Sequence, residues 1–228
     1  MILILASVAD THAASFAAEL PSAQVLTCHE LAQSPIRLHP MQPENSTLAV
    51  GGRTVPVTEI TAVLNLLPAV FANEFSQFPA AERAEQAAVF RTLLVYLQSS
   101  LPCTVVNRPS PVSMTGTVPN PAAWFAAATA AGVPIARLTA SSDGKGLLGG
   151  RGPASAVTCL GGHLVEPSGT PADEYTPALA RLCRLEYLRA VFRQEDSGMR
   201  FLGADSYPDI RTPSTRAALR DYLMRRAA

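Results

Sequence analysis

Two periodicities divide this chain into segments. Residues Ile2 to Ala6 form an unbroken apolar run, the pattern of a parallel strand covered on both faces. Asp10 or Thr11 can cap a following helix whose apolar face carries Ala14, Phe16, Ala17 and Leu20, with Pro21 and Ser22 ending it. Residues 24–28 read as a second strand, so the chain opens as a βαβ unit. Residues 47–50 and 53–57 flank Gly51 and Gly52 as a tight hairpin, and residues 60–67 predict another strand stopped by Pro68. Residues 79–101 predict the longest helix, with Val89, Leu93, Leu94 and Leu97 facing inward and Glu82, Arg83, Glu85 and Arg91 solvated. A buried strand over 103–107 follows, halted by Arg108 and Pro109.

Residues 110–121 are rich in Pro, Ser and Thr and predict a linker. An Ala-rich helix over 122–131 then ends at Gly132, and 134–139 predicts a strand. Residues 143–152 are dense in glycine. A second hairpin turns on Gly161 and Gly162 between 155–160 and 163–165. Helical spacing is read over 176–191, a strand over 199–203, and a terminal helix over 212–226 opened by Pro213. The expected class is therefore α/β, with domains over 1–112 and 113–228.

Composition narrows the function classes. Hydrophobic residues make up 48% of the 228 and charged ones 16%, which excludes a disordered chain. Eighteen basic residues balance eighteen acidic ones, leaving no long-range field to gather nucleic acid or an anionic membrane. The apolar start is short and lacks a basic flank, so neither a signal peptide nor a membrane span is expected there. Cys28, Cys103, Cys159 and Cys183 form no CxxC and suggest no disulfide, which fits a cytoplasmic protein. Cys28 beside His29 reads as a coincidence at a strand end, the alternative being a thiol or metal site. Lys145 is the only lysine, so chemistry that needs two is excluded.

Taken in order, these pieces resemble the ATP-grasp superfamily, in particular its ribosomal-protein glutamate ligase and microviridin-type peptide-maturation branch. The residues that carry the likeness are the strand at the start, the Gly51-Gly52 hairpin, and the long helix before Val105-Val106-Asn107-Arg108-Pro109, where the family reads W-V-N-x-P. Gly132-Val133-Pro134-Ile135-Ala136-Arg137-Leu138-Thr139 is similar to the family's G-x-x-x-P-x-T and strand. Phe201-Leu202-Gly203-Ala204-Asp205-Ser206-Tyr207-Pro208 stands where the family has F-L-E-V-N-x-x-P. The resemblance implies a small pre-ATP-grasp domain with a mostly parallel sheet, then an ATP-grasp-like α+β domain.

The same resemblance locates departures. The family holds nucleotide phosphates with two lysines, because a cation there offsets charge on the transferred phosphoryl group. Asn120 stands at the first of these positions. Lys145 could be the second, with Gly149, Gly150 and Arg151 forming a phosphate loop of exposed N–H groups; the alternative is a turn left from such a loop. The family's magnesium donors fall on Val191, Gly203 and Asp205, of which only Asp205 offers an oxygen, and Asp205 could equally tie the turn before Pro208. Residues 140–154 are too few for the family's lid, so the expected second domain is truncated. Leu64-Asn65-Leu66-Leu67 replaces a Trp-x-Arg-Arg strand end that would recognise an acidic peptide.

Two readings follow. One is a catalytically degenerate homologue without cofactor, serving as a binding or partner subunit for another protein or as a homodimer. The other is an ATP-dependent carboxylate–amine ligase using ATP and Mg²⁺ at a reduced site of Lys145, Gly149, Gly150, Arg151 and Asp205. Asp10-Thr11-His12 and His163 with Glu166 are polar groupings read as a helix cap and as surface. Trp124 is assigned to the core.

Overall fold

The computed structural model describes residues 1–118, 120–136 and 153–227. The chain separates into two compact units, one of Met1–Thr117 with Pro208–Ala228 and one of Val118–Tyr207. The terminal helix thus groups with the first unit, whereas the sequence division placed residues 113–228 together.

The first unit is built on β1 (Ile2–Ala6), α1 (Thr11–Ala17), β2 (Ala23–Thr27), α2 (Cys28–Gln33), β3 (Ile36–Arg37), β4 (Thr47–Val50), β5 (Arg53–Pro56), β6 (Ala62–Leu66), α3 (Arg83–Ser100) and β7 (Thr104–Val106). A four-stranded parallel sheet runs β2-β1-β6-β7, with Leu3 facing Gln24 on one side and Val63 on the other. Every residue of β1 and β6 is buried, so the apolar runs read from the sequence are central strands covered on both faces. Leu3, Leu5 and Val63 pack with Leu94 and Leu97 of α3 and with Leu48, Val50 and Val55 of the β3-β4-β5 sheet.

Gly51 and Gly52 close the β4–β5 turn at φ of 57° and 76°, the left-handed pair a two-residue hairpin demands. Asn107, also left-handed at φ 53°, ends β7. Arg108 then donates to the backbone carbonyls of Gln98, Leu101 and Cys103, capping the C-terminus of α3.

Three expectations change in this unit. Cys28 begins a helix instead of ending a strand, because Thr27 and Glu30 form a reciprocal capping box around its first turn. The long helix starts at Arg83 rather than 79. Val89 is 52% exposed, since it lies about 200° around the helix from core-facing Ala87.

The second unit holds α4 (Pro121–Ala130), β8 (Ala154–Leu160), β9 (His163–Leu164), α5 (Ala172–Leu182), β10 (Tyr187–Glu195) and β11 (Gly198–Asp205). Its antiparallel sheet runs β11-β10-β8-β9. Leu188, Ala190, Phe192 and Phe201 join Trp124 and Ala128 of α4 and Leu179 and Ala180 of α5 in one core, which places both helices on one face of the sheet. Trp124 is core, as expected.

The helix read over 176–191 is corrected. It stops at Leu182, Arg184 turns left-handed at φ 53°, and β10 begins at Tyr187. From Leu188 onward the period is two, with Ala190 and Phe192 buried and Arg189 exposed, which a sheet satisfies and a helix does not. Ile135 makes a single parallel bridge to Phe201, and the remainder of the strand expected over 134–139 lies outside the described residues. The last helix, α6 (Pro213–Ala227), returns to the first unit. Its Arg216 pairs with Glu19 at 2.6 Å, donates to Ser15 Oγ at 2.9 Å and lies 5.3 Å from the Phe16 ring centroid.

Candidate functional site

The positions singled out as metal donors meet on the antiparallel pair β10–β11. Val191 is directly opposite Gly203, and Arg189 is directly opposite Asp205. A bulge at this point leaves Leu202 of β11 without an opposite residue, so Phe192 faces Phe201 in the core while Val191 faces Gly203 on the other side of the sheet. Arg189, Val191, Gly203 and Asp205 therefore lie on the face turned away from α4 and α5.

Of the three positions the resemblance assigns to magnesium donors, one has a side-chain oxygen. Mg²⁺ takes hard oxygen donors, usually carboxylates, in near-octahedral geometry. Val191 and Gly203 supply none. Asp205 is exposed, and its Oδ1 accepts the backbone N–H of Tyr207 at 2.8 Å, which ties the turn into Pro208. Asp205 thus does what a turn residue does. Among the described residues no group of three or more His, Cys, Asp or Glu side chains could hold a metal ion.

Space does not explain the substitution at Gly203. Its φ is ordinary, and a Cβ added there meets nothing within 4 Å. A carboxylate side chain would fit, so its replacement reflects identity and not crowding. Arg189, exposed across the ladder from Asp205, adds positive charge where a bound cation would need negative charge.

Asn120 is the residue that the resemblance sets at the family's first lysine. Its side-chain oxygen accepts the N–H of Ala123 at 2.9 Å and caps α4. Lys145, Gly149, Gly150 and Arg151, and the rest of the segment expected to be too short for a lid, lie outside the described residues.

Several of the remaining polar residues tie the backbone. Asp10 accepts from the N–H groups of His12 (2.9 Å) and Ala13 (3.3 Å), so it is the cap of α1. Cys28 is buried, and its thiol is pushed up to about 12, chiefly by burial and secondly by the negative charge of Glu74. Such a thiol is not a nucleophile at neutral pH. His29 engages Gln77 and Gln33, at 3.2 and 3.0 Å. His163 and Glu166 are both exposed. Asn65 is 1% exposed; it donates to the Met114 carbonyl at 2.6 Å and accepts the Leu67 N–H at 3.0 Å, locking the end of β6.

One polar residue escapes sequence reading. Glu74 is 3% exposed, and its carboxylate accepts from Ser7 Oγ and, at 3.3 Å, from Val8 N, clamping the loop after β1. Its signal is an acidic residue set among Phe71, Phe75 and Phe78, where a solvated charge is out of place.

No family model matches this sequence, and no curated protein matches it. Solved structures do. The ATP-grasp ligase PsnB complexed with minimal precursor, Mg and ADP superposes with a TM-score of 0.73 at 15% identity, over 99% of this chain and 98% of that one. The macrocyclase MdnC from Microcystis aeruginosa MRC, bound with precursor peptide MdnA, gives 0.67 at 11% identity, over 99% of each chain. A Chryseobacterium gregarium RiPP-associated ATP-grasp ligase in complex with ADP and a leader and core peptide gives 0.67 at 10% identity, over 100% of this chain and 97% of that one. Likeness across nearly the whole length, at identities this low, is a likeness of fold. The chain therefore has the fold of the ATP-grasp ligases, a likeness that includes structures solved with precursor or leader peptides bound.

Proposed function

We propose that this protein is a catalytically degenerate ATP-grasp homologue that serves as a binding or partner subunit. The observation that supports this best is the composition of the β10–β11 face: Val191 opposite Gly203, and Arg189 opposite an Asp205 already engaged with Tyr207. A ligase of this fold must hold a divalent cation against nucleotide phosphates. At the three expected donor positions one carboxylate stands, with an arginine across the ladder from it. Asn120, spent on capping α4, supports the same reading from the phosphate side.

The fold argues for what is kept. PsnB, MdnC and the Chryseobacterium ligase are each described in complex with precursor or with leader and core peptides. A chain that keeps this frame while losing the metal donors keeps a scaffold suited to holding protein segments. The partner is then another protein, possessing its own catalytic groups, or a second copy of this chain. The competing reading is a ligase with ATP and Mg²⁺ at Lys145, Gly149, Gly150, Arg151 and Asp205, for which arginine would have to stand in as phosphate clamp.

Turnover of Mg·ATP decides between them. The protein alone, offered a panel of carboxylic acids and amines, should release no ADP or phosphate above the rate of a heat-inactivated control. Release of ADP that depends on an acid and an amine, and that falls in Asp205→Asn, would establish the ligase.

A further inference from the structure

Two cavities adjoin at the N-terminal end of the parallel sheet, opposite the end where α/β sheets usually place their sites. Both are lined by residues of the first unit. One, of about 420 Å³, is lined in part by Ser22, Gln24, Gly51, Arg53 and Glu59. Small-ligand sites run from about 300 to 1,000 Å³, so this volume lies at the compact end of their range. The other, of about 320 Å³, has Ile2, Pro21 and Met224 in its wall. Met1 and Ser22 line both.

Backbone contacts fix these walls. Ser22 is left-handed at φ 57° as the chain turns into β2, and its carbonyl accepts the Ile2 N–H at 3.2 Å. A Cβ on Gly51 would meet Gln24 Oε1 at 3.2 Å, so the β4–β5 turn lies directly against that side chain of β2. Arg53 leaves the turn opposite Val50. Glu59 ends the short helical turn Val57–Glu59, and its carbonyl accepts from the Met1 nitrogen at 2.8 Å. Buried Val50 and Val55 line the same cavity, so its polar side chains stand on an apolar base.

The charges select a class of ligand. Arg53 and Glu59 are both exposed, and among the described residues neither enters an ion pair. One cavity thus carries a cation and an anion that are not paired with each other. A simple anion there is attracted by Arg53 and repelled by Glu59, and a simple cation the reverse. A molecule carrying both charges is attracted by both residues. Its carboxylate takes the guanidinium fork and its ammonium takes the Glu59 carboxylate. Ser22 and Gln24 add uncharged donors and acceptors. The adjoining cavity, with Ile2, Pro21 and Met224 in its wall, suits an apolar side chain.

We propose that the two cavities form a binding site for a free α-amino acid with an apolar side chain. Arg53 holds the carboxylate, Glu59 the ammonium, and the cavity at Met224 the side chain. The site uses none of the nucleotide or metal positions, so it goes beyond the partner-subunit reading and is independent of it.

The test titrates the full chain with L-leucine, followed by amide chemical shifts and by calorimetry. Saturable shifts should centre on Ser22, Gln24, Gly51 and Gly52. N-acetyl-L-leucine lacks the ammonium and L-leucinamide the carboxylate, and each should bind at least about tenfold more weakly. Arg53→Ala and Glu59→Gln, both exposed changes, should each weaken L-leucine by about tenfold or more. Met224→Trp fills the apolar cavity and should weaken L-leucine while sparing glycine. Equal binding of L-leucine and its two blocked forms, indifference to Arg53→Ala, or no saturable shift at any soluble concentration would each overturn the proposal. ADP release is read separately, so none of these outcomes bears on the partner-subunit reading.

Discussion

At the scale of single residues, several polar groups that could have carried chemistry, Asp10, Asn65, Asn120 and Asp205 among them, are engaged in holding the backbone. Asn65 is the clearest case. Replacing it with Ala leaves the Leu67 N–H and the Met114 carbonyl buried and unpaired, so urea unfolding should show a loss of about 1–3 kcal/mol with an unchanged m-value. A loss within experimental error would mean that water reaches this site. Cys28 makes a second prediction. Its thiol is raised in the folded state, to about 12, so the native protein binds that proton more tightly than the unfolded chain does. Stability from this group is complete below the ordinary thiol range and is lost as pH rises through that range toward 12. Cys28→Ala should flatten that part of the stability profile, and thiol reagents at neutral pH should label Cys28 only on unfolding. Rapid labelling of the native protein would contradict its burial. Asn65 and Cys28 could be named from the sequence, but their roles could not. Partners such as Met114 and Glu74 lie 49 and 46 positions away, and local pattern carries no information across such spans.

At the scale of elements, most of the architecture was legible because burial on both faces leaves an unmistakable run, as in β1 and β6, and because glycine pairs mark hairpins. Gly161 and Gly162, at φ of 58° and 85°, close β8 onto β9 as read. A Cβ at Gly162 meets nothing within 4 Å, so any cost of substitution is conformational. Gly162→Val should therefore destabilise by about 1–2 kcal/mol, read as a lower urea midpoint; a neutral result would mean the turn relaxes to another form. What failed was the helix read through residue 191. Leu179, Ala180 and Cys183 keep helical spacing, and Leu188 and Val191 extend it by chance. The two-residue alternation of Leu188, Ala190 and Phe192 against Arg189 was present but shorter than the helical window around it. That error mattered, because it hid the register that sets Val191 against Gly203.

At the scale of the whole chain, the order of elements pointed to the fold, and solved structures of ATP-grasp ligases share it across nearly all of their length. No helix among the described residues is long and apolar enough to cross a membrane. What sequence order could not supply is whether a nucleotide still binds, since fold does not fix function. The degenerate-site account makes a strict demand here: with one carboxylate at the three expected donor positions, Mg²⁺ should bring no nucleotide to the protein. The measurement that tests this most directly is the melting temperature in ATP and in ADP, each with and without Mg²⁺. A ligand at about a hundred times its Kd stabilises the native state by roughly 2.7 kcal/mol, which a thermal scan resolves easily. The account predicts no shift at millimolar nucleotide in either condition. A magnesium-dependent rise that disappears in Lys145→Ala and in Asp205→Ala would contradict it and establish a working nucleotide site.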